Sequence, residues 1–200
     1  MLRRFFNPTR KLIAAIIGAV VFIVLVFLVI SKSTEVPKEF IDARGKAADT
    51  SKTIVELTSQ TAGIIERANI FDSGGDPDKA LTLISTARSN NSQAYEKASL
   101  LAQQLKELAE SLDTIPSKKS KQLAYESVAV ELSLVSEFIV YTNRLNAFLD
   151  ALSRATATDF FSARREVEDR LREVNVQARK INAINQEFLK RIGDFDASLL

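Results

Sequence analysis

The chain has 200 residues, with 27 basic and 25 acidic side chains, and it contains neither histidine nor cysteine. Without these residues it has no His-dependent nucleophilic triad, no zinc site with His or Cys ligands, and no haem or Glu-x-x-His di-iron site. Residues 31–200 carry 23 − 25 = −2 charges, without the basic stripe that marks a nucleic-acid-binding protein. The composition therefore predicts that the chain is not an enzyme and binds no metal, cofactor or nucleic acid.

Residues 12–30 form an uninterrupted apolar run of 19 residues with no charged side chain. A helix of that length spans roughly 28 Å, close to the roughly 30 Å hydrocarbon core of a bilayer. Four basic residues and no acid precede the run, and basic flanks stay in the cytoplasm. We therefore expect a single-pass plasma-membrane protein, with residues 1–11 in the cytoplasm, 12–30 in the bilayer, a linker at 31–35 and residues 36–200 outside.

A cleaved signal peptide is the alternative interpretation of the same run. Signal peptides have shorter apolar regions, of about 7–15 residues, and end at a small-x-small cleavage site. The one site that fits, Ser31-Lys32-Ser33, has a lysine at its centre, which favours an uncleaved anchor. Within the run, Ala14 and Gly18 form a small-xxx-small pair, which is typical of helix packing in membranes.

The region after the anchor divides into four segments of roughly 35–42 residues. Turn residues separate them at Ser73–Pro77, at Pro116-Ser117 and at Ser153–Thr158, and in the first of these Asp76 is expected to cap a helix that begins with Pro77. Within the segments, apolar residues recur at alternating spacings of four and three, the pattern of helices packed at shallow angles. The segments are A (36–71), B (77–114), C (117–152) and D (158–198). We predict an all-α fold in which an N-terminal transmembrane helix precedes an antiparallel up-down-up-down four-helix bundle with long helices, because short connections make consecutive helices antiparallel.

The distribution of alanines supports a hairpin of segments A and B. If the chain turns near Gly74, Ala47 lies opposite Leu101 and Ile54 lies opposite Ala94. Small residues then face large ones along the contact, which fills the interior evenly. The four crossings also return the apolar end of segment D, including Leu199 and Leu200, to the side of the anchor, where it either packs near the lipid interface or frays in water.

Segment C is apolar on nearly all sides, which is typical of a helix that is buried or covers a partner. Its outer face includes Val130, Glu137, Val140 and Arg144. These residues are a possible interaction face for a protein partner or a second copy. The other interpretation is that C is simply the central helix of the bundle.

Polar residues also occur at positions where apolar ones are expected. Asn91, Glu131 and Asn185 lie within the apolar rows, and Tyr141 could contribute a hydroxyl beside them. Buried polar residues commonly fix the register between helices, so the alternative, a pocket for a small ligand between helices, requires further support. Glu131 requires a partner in either case, because an unpaired buried carboxylate is costly.

Two functions are compatible with these patterns. The first is a membrane-anchored extracytoplasmic scaffold or accessory subunit of an envelope complex, which binds protein partners through its helix faces. The alternative is a membrane-anchored, sensor-like bundle that binds a small ligand and reports to a separate membrane partner.

Overall fold

A computed structural model describes residues 38–158 and 161–198, which form four long α-helices and one short 3₁₀ turn and contain no strand. The elements are α1 (Lys38–Gly74), α2 (Pro77–Ser111), the 3₁₀ turn (Leu112–Thr114), α3 (Lys118–Thr158) and α4 (Phe161–Ala197). The predicted all-α class is confirmed. None of the described helices has an apolar stretch of the length and hydropathy needed to cross a bilayer. The predicted cytoplasmic segment 1–11, the span 12–30 with Ala14 and Gly18, and the linker 31–35 lie outside the described residues.

The connection between α1 and α2 follows the predicted turn chemistry. Gly75 has φ 84, a conformation that glycine adopts without a Cβ clash. Asp76 then caps α2, because its side chain accepts a hydrogen bond from the Lys79 backbone N–H at 3.2 Å, and Pro77 begins the helix. The predicted start of the second helix is therefore confirmed.

The predicted break at Ser153–Thr158 is wrong. Helix α3 continues through these residues to Thr158, and α4 begins at Phe161. The hydroxyl of Thr158 donates to the carbonyl of Arg154, four residues earlier, at 2.7 Å. This bond belongs to the interior of a helix, whereas an N-cap threonine would accept a bond from a backbone N–H that follows it.

Consecutive helices run antiparallel. Between α3 and α4, the pairs Glu126–Arg191 and Arg154–Glu166 join the start of one helix to the end of the other. Helices α1 and α2 pack along their lengths, and Asn91 of α2 bonds to α3. At the end of the bundle where α1 begins, which we call the base, Phe40 of α1 contacts Phe195 of α4. The described residues thus form a four-helix bundle around one hydrophobic core.

The buried face of α1 is shifted by about one residue from the predicted row. Ala43, Leu57 and Ile64 are only partly buried, whereas the neighbouring positions 44, 51, 58 and 65 are buried. Helix α1 contacts both α2 and α4, so the centre of its buried face lies between the two contact lines. Three of these four additional buried residues are polar, namely Arg44, Ser51 and Thr58.

Candidate functional site

A buried ion pair joins the beginning of α1 to the end of α4. Arg44 is 4% exposed, and its Nη1 and Nη2 donate to Asp196 Oδ1 and Oδ2 at 3.0 and 3.3 Å. The two parallel bonds form the bidentate geometry that makes arginine–carboxylate pairs strong and directional. The side chain of Asp196 is 18% exposed, so the pair lies at the edge of the core.

Two aromatic rings complete this contact. The guanidinium carbon of Arg44 lies 5.9 Å from the ring centroid of Phe195, within range of a cation–π interaction. The edge of one ring meets the face of the other between Phe40 and Phe195, with centroids 5.8 Å apart and planes at 65°. We call the four residues Phe40, Arg44, Phe195 and Asp196 the base cluster. Sequence reasoning missed it, although it did expect the end of segment D to return to this side of the bundle.

The end of α4 is also held against the beginning of α3. Ser198 Oγ lies 3.1 Å from Ser120 Oγ, and the Ser120 hydroxyl donates to the Ser198 carbonyl at 3.3 Å. One turn earlier, Arg191 Nη1 donates to Glu126 Oε2 at 2.6 Å. The described end of the chain therefore packs on both neighbouring helices and does not fray, whereas Leu199 and Leu200 lie outside the described residues.

Glu131 of α3 is a carboxyl group inside the bundle, as its place in an apolar row predicted. It is 5% exposed, and within the described part of the chain it forms no hydrogen bond or ion pair. Burial raises the pKa of Glu131 to about 8, although the positive charge of Arg44 acts in the opposite direction. Glu131 is therefore mostly protonated at pH 7, with the Arg44 charge within electrostatic range.

Asn91 connects α2 to α3, which is the contact expected of a register-fixing residue. Its Nδ2 donates to the Thr142 carbonyl and to Asn146 Oδ1, both at 2.8 Å. These bonds occupy the asparagine amide fully, so it has no free donor for a ligand. The other predicted interhelical residues are not part of this contact.

Asn185 and Tyr141 are also buried, but their polar atoms lack partners. Among the described residues, neither Asn185 Oδ1 nor the Tyr141 hydroxyl has a hydrogen-bond partner. The Tyr141 ring stacks on Phe138 with centroids 5.7 Å apart, and burial raises the pKa of the Tyr141 hydroxyl. Such atoms are unusual in a protein interior and are candidates for ordered water or a small ligand.

The structure places half of the predicted interaction face in contact with α4. Glu137 accepts hydrogen bonds from Gln177 Nε2 at 2.7 Å and from Lys180 Nζ at 2.7 Å, which lower the pKa of its carboxyl group. Arg144 donates to the Glu173 carbonyl at 3.2 Å. Val130 packs partly against the core, and Val140 is 37% exposed. A role for these four residues in binding a partner remains a prediction.

A second set of exposed apolar residues lies along the contact between α2 and α3. Tyr125 and Leu132 are seven residues apart on α3 and therefore share a face, and the Tyr125 hydroxyl lies 3.4 Å from Asp113 at the end of α2. Tyr95 lies one turn after Asn91, the residue through which α2 contacts α3. We call Tyr95, Tyr125 and Leu132 the α2–α3 flank. The analysis of segment C overlooked it because the search was restricted to the opposite side of that helix.

A surface depression of about 570 Å³ lies where α3 meets the first half of α4. Its lining is almost entirely charged and comprises Arg144, Glu166, Asp169, Arg170, Arg172, Glu173 and Val176. Most of these charges pair with one another, as in the Arg170–Glu173 bridge at 3.1 Å and the Arg172–Asp169 bridge. The depression therefore lacks the apolar walls of a typical small-molecule site.

Within residues 38–158 and 161–198, no three His, Cys, Asp or Glu side chains come together as a group that could hold a metal ion. No protein-family model, curated protein or solved structure matches the chain. A functional assignment therefore depends on the geometry described above.

Proposed function

We propose that this chain is a single-pass membrane protein whose helical bundle lies outside the cytoplasm and serves as a scaffold or accessory subunit of an envelope complex. The apolar run at 12–30 and its basic N-terminal flank support the anchor and its orientation. The protein-binding role rests on the α2–α3 flank, where apolar side chains face solvent although the bundle has a continuous core.

The α2–α3 flank has the character of a docking surface. Tyr95 and Tyr125 are amphipathic aromatic residues of a type enriched at the centres of protein interfaces, and Leu132 adds an aliphatic contact. Because α2 has 35 residues, the flank belongs to a rod about 50 Å long, which offers a partner an extended helical face.

The membrane orientation is consistent with the arrangement of the helices. Only seven residues separate the end of the proposed span at Ile30 from the beginning of α1 at Lys38, so the base faces the membrane. The flank then extends away from the membrane, where a soluble or membrane-bound partner of the envelope can reach it.

Single-cysteine variants test the orientation directly, because the natural chain has no cysteine. Ser92→Cys, at an exposed position of α2, should react with a membrane-impermeant maleimide on intact cells. Thr9→Cys should react only after permeabilisation. The opposite result, or protection of both positions on intact cells, would overturn the topology.

A photo-crosslinking amino acid at Leu132 tests the proposed docking surface in intact cells. Ser133 is the matched control, because it is exposed on the same helix but points away from the flank. We expect one discrete heteromeric adduct from position 132 and none from position 133. An adduct of twice the chain's mass would replace the accessory-subunit proposal with self-association, and equal adducts at the two positions would exclude a specific surface here.

The second candidate is the ligand-binding bundle, and the unpartnered buried atoms of Tyr141 and Asn185 favour it. Native mass spectrometry of the detergent-purified chain distinguishes the two functions. A scaffold should show the mass of the protein alone. A ligand sensor should carry an additional small mass, which Asn185→Leu would remove.

A further inference from the structure

The contact between α1 and α4 differs from the other contacts between neighbouring helices. The backbones of α1 and α2, of α2 and α3, and of α3 and α4 approach one another closely, whereas those of α1 and α4 do so hardly at all. The side-chain contacts described between α1 and α4 all lie in the base cluster. This contact therefore depends on a few side chains at one end of the bundle.

The base cluster brings one buried cation near two carboxyl groups. Arg44 is bound by Asp196, and its charge also reaches Glu131. Arg44 and Glu131 are the two buried residues with ionisable side chains of opposite charge in the described part of the chain. One arginine neutralises one carboxylate, so the cluster is balanced only while the second carboxyl group retains its proton.

No other charge from the neighbouring helices competes for Glu131. On α2, the residues buried at the base end are apolar, such as Leu101 and Leu105. On α4, Arg191 is engaged by Glu126 of α3 at 2.6 Å and by Glu187 at 3.7 Å. Arg44 is the one charged group that acts measurably on the titration of Glu131.

We propose that the contact between α1 and α4 is a proton-controlled latch, in which loss of the Glu131 proton to solvent draws Arg44 from Asp196 and releases α4 from α1. Once ionised, Glu131 is the more deeply buried carboxylate and therefore gains more from the arginine charge than Asp196 does. Asp196 is partly exposed, so water can take over its hydration.

The opening separates two helical hairpins. Ser198 remains bonded to Ser120, and Arg191 to Glu126, so the end of α4 stays on α3 when it leaves α1. The α1–α2 hairpin then parts from the α3–α4 hairpin at the base. Because the pKa of Glu131 is raised to about 8, the latch is closed at pH 6 and open at pH 9.

Spin-label distances in the full chain test the latch. Lys46 of α1 and Asp194 of α4 are exposed positions near the base, and their cysteine variants carry the only thiols in the protein. In lipid nanodiscs, we expect one narrow distance distribution at pH 6 and a second, longer population that grows with a midpoint near pH 8. With Glu131→Gln, the narrow distribution should persist at both pH values.

A label pair at Ser136 and Arg179 is the control, because both positions are exposed on the α3–α4 hairpin. Its distance should not change with pH. Asp196→Asn removes the competing carboxylate and should show the longer distance already at pH 6. The latch is wrong if the distance between positions 46 and 194 is independent of pH, or if Glu131→Gln leaves its pH response unchanged. These outcomes do not depend on whether the α2–α3 flank binds a partner.

Discussion

Replacing Glu131 by glutamine should stabilise the bundle at neutral pH and reduce its pH dependence. The pKa of Glu131 rises from 4.5 to about 8 in the folded chain because the side chain is buried. Between these two values the folded state binds more protons than the unfolded state, so the free energy of unfolding falls as the pH rises. The contribution of the protonated group is complete below pH 4.5 and is lost by about pH 8.

The size of the effect follows from the width of this window. Each pH unit inside it changes the free energy of unfolding by about 1.4 kcal/mol, so the wild-type chain should lose about 3 kcal/mol between pH 5 and pH 7 through Glu131. That loss is a large share of the roughly 5–15 kcal/mol that stabilises a typical domain. Glu131→Gln has no ionisable group at this position and should not show it.

Urea unfolding of the full chain in detergent, followed by far-ultraviolet circular dichroism at pH 5, 7 and 8, measures this difference. Glu107→Gln is the matched control, because Glu107 is an exposed glutamate on α2 and should behave as the wild type. Parallel pH profiles for the wild type and Glu131→Gln would refute the reasoning, because they would mean that the Glu131 carboxyl group ionises as easily in the folded chain as in the unfolded one.

Three further predictions concern the contacts between helices. Asp196→Ala leaves the buried charge of Arg44 without its carboxylate and should lower the free energy of unfolding by about 3 kcal/mol, measured by urea unfolding. Asn91→Ala removes two hydrogen bonds to α3 and should cost about 2 kcal/mol in the same assay. Cysteines at positions Ala47 and Leu101 should form a disulfide within one chain under oxidising conditions, visible as a mobility shift without dimer on a denaturing gel.

Each of these predictions has a control and a contradicting result. Asp194→Ala, an exposed neighbour of Asp196, and Ser92→Ala, next to Asn91, should each change stability by less than about 0.5 kcal/mol. Equal losses in the variant and its neighbour would mean that the contact itself contributes little. A disulfide found only between two chains would show that α1 and α2 pair between molecules.

The four helices could be predicted because their apolar residues repeat at helical spacing over more than 30 residues each. The start of α2 was equally legible, because an aspartate followed by proline combines a cap with a first-turn residue. The end of α3 was not, because Thr156 and Thr158 are acceptable both as caps and inside a helix, and local sequence does not distinguish the two. The choice was made by the hydrogen bond from Thr158 to the carbonyl of Arg154.

The candidate site was predictable only where a polar residue interrupts an apolar row. Glu131 and Asn91 met this condition and are buried as expected. Arg44 did not, because it lies beside the row that was followed in segment A, and its partner Asp196 is 152 residues away. A second row with the same spacing, through Phe40, Arg44, Ala47 and Ser51, would have indicated that α1 buries two neighbouring contact lines.

The size of the side chains explains why one contact between the helices depends on charge. Alanines line the contact between α1 and α2, and small residues allow two helix backbones to approach closely and gain packing along their length. At the base, by contrast, α1 and α4 meet through Phe40, Arg44 and Phe195, which are large and hold the backbones apart. A contact of this kind has little backbone proximity to maintain it, so its stability follows the state of the Arg44–Asp196 pair. A single proton on Glu131 can therefore change the contact between α1 and α4 while the other contacts of the bundle remain intact.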